Sequence, residues 1–359
     1  MKITRREFEQ PRLPSHVDRL ADWKAGRIFP PVRMNVSPAG GCNHRCRFCY
    51  TEYLGHPGIL MDGDVLKKSC VEMARFGVRQ IVFEGIGEPL LNPASIDALI
   101  CAKEAGLPSA YLVTNGTLFT PDVFHPLLPH LTERDMIRIS APEATPELYA
   151  ITHGCSAKQW HILHDNLVAL KQERKPGQGC VIATVYPTPD VVGKVRAAVG
   201  MCIELGADIV SITPPIFNPA NASVQDKFQQ MDLGVMHKGE LENIETMSTA
   251  DCLVVVNGFM FGTVENRPEP DPCHGIDFYG MVGPDAQVYP CFRHWLNDEF
   301  SYGDLAHGSF EDIWNGARRM SVRAGLLNDG PFDCKLCCHR RMNRTLADLK
   351  TASRFSGAI

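Results

Sequence analysis

The sequence predicts an α/β fold: a partial, TIM-like (β/α)6 barrel followed by a small C-terminal domain built from a β-hairpin and a helix. Three observations predict it. Between about residues 32 and 217, short apolar runs alternate with helical patterns, as parallel strands joined by crossover helices do. After 218 the alternation stops, and the Pro-rich stretch Arg267–Pro272 marks a boundary. A chain of 359 residues is also long enough for about two domains. The expected divisions are an N-terminal arm over 1–31, the barrel over 32–250, and a linker with the C-terminal domain over 251–359.

The elements follow in order. Strands are expected at Val32–Pro38, Gln80–Glu84, Ala110–Val113, Met136–Ser140, Val181–Tyr186 and Ile209–Thr213. Asn92 caps a helix that has Pro93 in its first turn, Ile96, Leu99 and Ile100 inside, and Gly106 as its stop. Thr188 and Pro189 open another, with Val192, Val195, Val199, Cys202 and Leu205 on one stripe and Gly206 closing it. Beyond the barrel come a strand at Leu253–Val256 and a hairpin, Phe278–Val282 with Gln287–Tyr289, turning at Gly283-Pro284-Asp285. A helix over Ser309–Leu326 precedes a cysteine-rich segment. In such sheets, chemistry gathers at the carboxyl ends of the strands.

Composition narrows the class. With 44% hydrophobic and 21% charged residues, the chain reads as an ordinary globular protein. A net charge of -5 gives no basic surface for nucleic acid, so none is expected as a partner. No apolar run is long enough to span a bilayer, and the opening MKITRREFEQPRLPS lacks a signal peptide's apolar stretch. A cytoplasmic setting with no membrane partner is expected. There, 14 cysteines point to metal binding in preference to disulfides.

The cysteines divide by spacing. Cys42, Cys46 and Cys49, spaced C-x3-C-x2-C just past the first strand, offer three thiolates. A four-metal iron–sulfur cluster held by three leaves one iron open for chemistry. Zinc, in contrast, takes four closed ligands in a structural site. Phe48 sits just before the last cysteine, where it can pack against a flat base. After the second strand comes Glu84-Gly85-Ile86-Gly87-Glu88-Pro89-Leu90; after the third, Thr114-Asn115-Gly116; and Ser140 ends the fourth.

This arrangement resembles the radical S-adenosylmethionine (SAM) enzymes over roughly Val32 to Phe217. The resemblance implies a [4Fe–4S] cluster on Cys42, Cys46 and Cys49 whose open iron chelates the amino and carboxylate groups of SAM. Reduction then yields a 5′-deoxyadenosyl radical that takes a hydrogen atom from substrate. Gly85-Ile86-Gly87-Glu88 is similar to the family's Gly-Gly-Glu-Pro motif, with Ile86 in place of one glycine. The resemblance makes Glu88 an acceptor for the methionine amino group, and Asn115 and Ser140 contacts for its ribose or carboxylate. An electron donor, a reductase with flavodoxin or a ferredoxin, is implied as a partner.

A second set is Cys273, Cys291, Cys334 and Cys337, with Cys338 able to replace Cys337. Four thiolates close a cluster, and a zinc knuckle is the plain alternative. The hairpin ending GPDAQVYPC, then GDL, then SFEDIWNG, resembles the C-terminal extension of SPASM and Twitch radical SAM enzymes. That implies a second, auxiliary [4Fe–4S] cluster. No cysteine follows Cys338, which favours the shorter Twitch form. Cys180, leading the fifth strand, and Cys252, near the domain junction, are either packing residues or thiols that return a hydrogen atom to a substrate radical. Glu84, near the sheet's active end, is a candidate for a polar substrate.

The arm leaves no room for a leader-binding domain, so a small-molecule substrate is expected. The first expectation is hydrogen abstraction from a carbinol or sugar carbon of an aminoglycoside-like metabolite, giving epimerisation or oxidation. The alternatives are a maturase of ribosomal peptides and a non-enzymatic zinc-binding protein.

Overall fold

A computed structural model describes residues 13–188, 190–191, 193–215, 241–257, 272–295, 297–328 and 340–352. Seven parallel strands run in chain order: β1 (Arg33–Val36), β2 (Gln80–Phe83), β3 (Ser109–Thr114), β4 (Met136–Ser140), β5 (Cys180–Val185), β6 (Ile209–Ile212) and β7 (Leu253–Val256). Each pairs with the next, in registers such as Arg33↔Gln80 and Met136↔Cys180. The sheet does not close, so the barrel is partial. Its other edge is extended by β8 (Tyr279–Val282), which pairs parallel to β1, and by β9 (Gln287–Tyr289) and β10 (Gly303–Asp304), which run antiparallel. The C-terminal hairpin is therefore a continuation of the barrel sheet.

Period-two alternation sorts the strand residues. One set, including Met34, Ile81, Phe83, Leu112, Ile137 and Ile139, packs outward against helices that cross the sheet. These include α2 (Gly63–Phe76), α3 (Ser95–Glu104) and α6 (Lys158–Glu173), which contribute Leu66, Met73, Leu99, Leu163 and Leu167. A second outward cluster joins Ala183, Val185, Val210 and Ile212 to Val195, Val199 and Cys202 of α7 (Val195–Glu204). Cys202 is packing, as its helical stripe predicts. The opposite set lines the lumen. Its floor is apolar, formed by Cys180, Ile182, Ile209 and Val255 with Met136 and Leu253. Above the floor the lumen is polar.

Some expected boundaries move. Asn92 does cap, its Oδ1 accepting from the Ala94 amide, but the helix proper begins at Ser95. The helix expected over Ser309–Leu326 is two: α8 (Phe310–Asn315), capped by Ser309 Oγ, and α9 (Ala317–Asn328). Gly316 between them is extended, at φ −73° and ψ 158°. Pro189 and Val192 of the expected helix opening lie outside the described residues. Among those described, no helix is long and apolar enough to cross a membrane.

Candidate active site

The loop from Ser37 to Asp62 leaves the carboxyl end of β1 and carries the three spaced cysteines. Its two ends are drawn together by backbone bonds from Met61 N to Pro38 O (3.0 Å) and from Gly40 N to Ile59 O (2.8 Å). Asn92 Nδ2 donates to both Pro38 O and Met61 O, tying the loop's base to the chain beyond β2. From one side the turn after β2 presses on it: Glu88 N donates to Gly41 O at 2.9 Å. A Cβ at Gly87 would lie 1.9 Å from that same oxygen, so only glycine fits there. From the other side α5 (Pro146–His153) clamps it, through Arg45 N to His153 O (3.0 Å) and Arg47 N to Thr152 O (2.9 Å). Gly154 stands at φ +56°, and a Cβ on it would lie 2.0 Å from Arg45 O. The sequence signals the first clamp and hides the second, since His153-Gly154 reads there only as a helix end.

The thiols so held are half-buried and free of disulfides. Burial pushes Cys42 up to about 11 and Cys46 well above its ordinary value; in both, neighbouring thiols of the trio add to the rise. Three half-buried cysteines on one loop, two of them resisting ionisation in the metal-free chain, suit a cationic centre that takes them as thiolates. By this test the residues fit an iron–sulfur cluster. Contacts to the sulfurs already exist: His44 N to Cys42 Sγ at 3.4 Å, Thr51 Oγ1 to Cys49 Sγ at 3.4 Å, and His153 Nδ1 to Cys46 Sγ at 3.6 Å. His153 is buried, and its ring stacks on Tyr149 at 4.0 Å.

The other expected site residues gather here too. Phe48 stacks on Tyr186 at 4.3 Å and meets the edge of His153. Gly85 adopts φ +127°. Ile86, the residue that departs from the glycine pattern, buries its side chain among Met281, Tyr289 and Trp295 of the C-terminal hairpin. Its N–H donates to Ser37 Oγ and its carbonyl accepts from Thr51 Oγ1, both at 3.2 Å. Glu88 is buried, and its carboxylate accepts from Thr114 Oγ1 (2.7 Å), Asn115 N (2.8 Å) and Leu90 N (3.1 Å). It thus fastens the loop after β3 beneath the loop after β2. Asn115 Nδ2 donates to Asn43 Oδ1 at 2.7 Å, bracing the cysteine loop. Ser140 lies half-buried at the carboxyl end of β4.

Cys180 and Cys252 lie elsewhere. Cys180 opens β5 in the apolar floor, and Cys252 directly precedes β7. Both are buried at the amino ends of their strands, the end away from the cysteine loop. A strand of six residues spans about 20 Å, so neither thiol faces chemistry at the carboxyl ends. Of the second cysteine set, Cys273 precedes β8 and Cys291 follows β9, so the antiparallel pair brings both to the open end of the hairpin. Cys334, Cys337 and Cys338 lie outside the described residues. Two contacts join the regions: Tyr50, next to Cys49, packs edge-on against Phe292 and accepts from Arg293 Nη1 at 3.0 Å.

Apart from Glu84, sequence reasoning missed the polar layer of the lumen. On β1 and after β2, Arg33 donates to Glu84 (2.8 Å) and to Asn35 (2.7 Å), and Asn35 also donates to Glu84. Across from them Arg138 of β4 donates to Thr184 Oγ1 of β5 at 2.7 Å, with Tyr111 and Tyr186 beside it. The available signal was polar alternation within strands such as Met136–Ser140, whose parallel setting otherwise favours continuous apolar runs.

Comparison with known proteins agrees with this geometry. A family model described as the radical SAM superfamily matches residues 36–190, and one described as an iron-sulfur cluster-binding domain, SPASM, matches residues 273–339. The tungsten-containing aldehyde ferredoxin oxidoreductase cofactor-modifying protein of Pyrococcus furiosus is 22% identical over 307 residues, 77% of this chain and 79% of that one. A probable GTP 3′,8-cyclase of Methanothermobacter marburgensis is 27% identical over 120 residues, 33% of this chain and 38% of that protein. Among solved structures, Streptococcus suis SuiB bound to S-adenosylmethionine shares the fold with a TM-score of 0.62 at 14% identity, covering 95% of this chain and 80% of that one. The anSMEcpe structure with bound AdoMet and Cp18Cys peptide gives a TM-score of 0.54 at 15% identity, with coverage of 90% and 98%.

Fold and site together define a cluster-dependent enzyme built on an open α/β barrel. The chain carries a radical SAM domain over residues 36–190 and an iron–sulfur cluster-binding SPASM domain over residues 273–339. Its cofactors are accordingly a [4Fe–4S] cluster with SAM, and an auxiliary iron–sulfur cluster.

Proposed function

We propose that the enzyme abstracts a hydrogen atom from a carbon of a small polar substrate bound in the barrel lumen, and that the outcome is oxidation. Cys42, Cys46 and Cys49 hold the SAM-binding cluster in this reading, and Cys273, Cys291, Cys334 and Cys337 hold the auxiliary one. SAM on the reduced cluster supplies a 5′-deoxyadenosyl radical. Everything else falls to the chain. The clamps at Gly87 and Gly154 fix the cysteine loop, Phe48 offers an aromatic wall, and Glu88 with Asn115 holds the neighbouring turns. The polar lumen layer orients the substrate beneath them.

The observation that carries the reading is this polar, charged layer inside a parallel barrel, directly below the carboxyl ends. Charges drawn partly out of water inside a cleft are costly, which makes them candidates for binding groups. Oxidation is favoured because Cys180 and Cys252 sit at the amino ends of their strands, away from the cysteine loop. A substrate carbinol would lose a hydrogen atom to the 5′-deoxyadenosyl radical, then a proton to solvent and an electron to the auxiliary cluster, leaving a carbonyl. A flavodoxin or ferredoxin in a reducing cytoplasm is the matching electron donor. An aminoglycoside-like polycation is less well matched, since the described lumen strands bring two guanidinium groups against one carboxylate.

A peptide substrate is the second reading. Its support is a fold shared over 92% of this chain with SuiB bound to the precursor peptide SuiA. Anaerobic reconstitution followed by reductant and SAM tests the common claim: 5′-deoxyadenosine should form, and should vanish when the three loop cysteines are changed to alanine. Absence of 5′-deoxyadenosine from the wild-type protein overturns the proposal. Deuterium transferred into it from a labelled metabolite, or from a labelled peptide, separates the two substrates.

A further inference from the structure

We infer that Arg138 is a substrate-recognition residue that binds a carboxylate, so that the substrate is an organic acid or carries an acidic group. The inference rests on the lumen reading above and adds the chemical class that the lumen selects.

Arg138 sits on β4 two residues before Ser140, about 7 Å below the carboxyl end of the strand. Its face of the strand is the inner one: Ile137 and Ile139, on either side of it, pack outward into the main core. Nε is spent on Thr184 Oγ1 at 2.7 Å; Tyr111, which hydrogen-bonds to the guanidinium, and Tyr186 are its other close neighbours, and the charge of Glu84 also reaches it. No described carboxylate lies within ion-pair distance of it. Glu84, the one acid on the described lumen strands at this level, is already bound by Arg33 at 2.8 Å and by Asn35. As a whole residue Arg138 is half-buried.

An enclosed guanidinium cannot shed its proton, and the one described acid whose charge reaches it, Glu84, is shared with Arg33, so a second anion would balance the pair of guanidinium groups. Its planar fork matches a carboxylate in two parallel hydrogen bonds. With Nε anchored to Thr184, the terminal nitrogens form that fork. A carboxylate there places the carbons above it between Arg138 and the cysteine loop, where the hydrogen is to be removed.

The test uses the anaerobically reconstituted holoenzyme with SAM present, titrated calorimetrically with glutarate, inorganic phosphate and putrescine. Glutarate should bind at least tenfold more tightly than phosphate, and putrescine should give no heat. Arg138→Gln should weaken glutarate at least tenfold, while Arg138→Lys retains part of the affinity and the unfolding midpoint. The assignment is overturned if glutarate does not bind the wild type, if Arg138→Gln binds it equally well, or if phosphate binds more tightly. It is also overturned if Arg138→Gln loses SAM affinity, since the guanidinium would then serve the cofactor. Release of 5′-deoxyadenosine by the wild type is read separately: its failure removes the radical function and leaves the anion site standing or falling on the titration.

Discussion

His153 Nδ1 lies 3.6 Å from Cys46 Sγ, and the imidazole that carries it is buried and stacked on Tyr149. Burial also holds His153 well below its ordinary pKa, so the ring is neutral and one nitrogen donates. A donor aimed at a cluster sulfur stabilises the more negative, reduced state. His153→Phe keeps the aromatic stack and removes the donor. The reconstituted variant should show its cluster midpoint lowered by tens of millivolts in a redox titration followed by paramagnetic resonance, given hydrogen-bond energies of about 1 kcal/mol. An unchanged midpoint would make the contact purely structural.

Gly87→Ala should damage the site without touching a ligand. The added methyl would meet Gly41 O at 1.9 Å, backbone against backbone, so the two loops must separate. Overpacking of this kind costs about 1–3 kcal/mol. Iron bound per chain after reconstitution should fall, together with the urea midpoint. Gly58→Ala serves as a control for substitution at a glycine with open surroundings and an ordinary backbone conformation.

Glu143 makes stability depend on pH. It is buried, Oε1 accepts from Thr152 Oγ1 at 3.2 Å, and Oε2 has no hydrogen-bond partner. Burial first, and then Asp190, pushes its pKa up from 4.5 to about 7. Between those values the native state holds a proton that the unfolded chain has lost, so stability falls as pH rises through the window. At about 1.4 kcal/mol per unit, the loss approaches about 3 kcal/mol above pH 7. Glu143→Gln should therefore unfold at higher urea than the wild type at pH 8 and at similar urea near pH 4.

Cys180→Ala and Cys252→Ala should each release 5′-deoxyadenosine at the wild-type rate, because both thiols sit at the amino ends of their strands. Loss of a floor contact should lower the melting temperature of Cys180→Ala by a few degrees. Abolished turnover in either variant would restore a thiol donor to the mechanism.

How far the fold could be read ahead depended on the range of the interaction involved. Strands and the spaced cysteines were legible because hydrophobic alternation and ligand spacing are local. β4, β7 and β9 fall where expected to the residue. Ile86 looked like a mild flaw in a glycine turn; its reason is the apolar group of Met281, Tyr289 and Trp295, two hundred residues away, which no local pattern reveals. The same holds for Arg138, whose surroundings come from the strands on either side of it, β3 and β5, and from Glu84 beyond β2. The sequence leaves Cys180 open between packing and hydrogen return, because its depth along the strand is not a local pattern; the structure puts it among the apolar side chains of the floor. Gly316 shows the converse: a helical pattern can continue through a residue whose backbone is extended.

β8 hydrogen-bonds along the full length of β1, the strand that launches the cysteine loop. Among the described residues, the hairpin flanked by Cys273 and Cys291 is thereby part of the same sheet from which the loop of Cys42, Cys46 and Cys49 springs, and these are the proposed ligands of the two clusters. Electron hopping, which is steeply sensitive to distance, would then run over a gap fixed when the chain folds, and its rate would be insensitive to solvent viscosity.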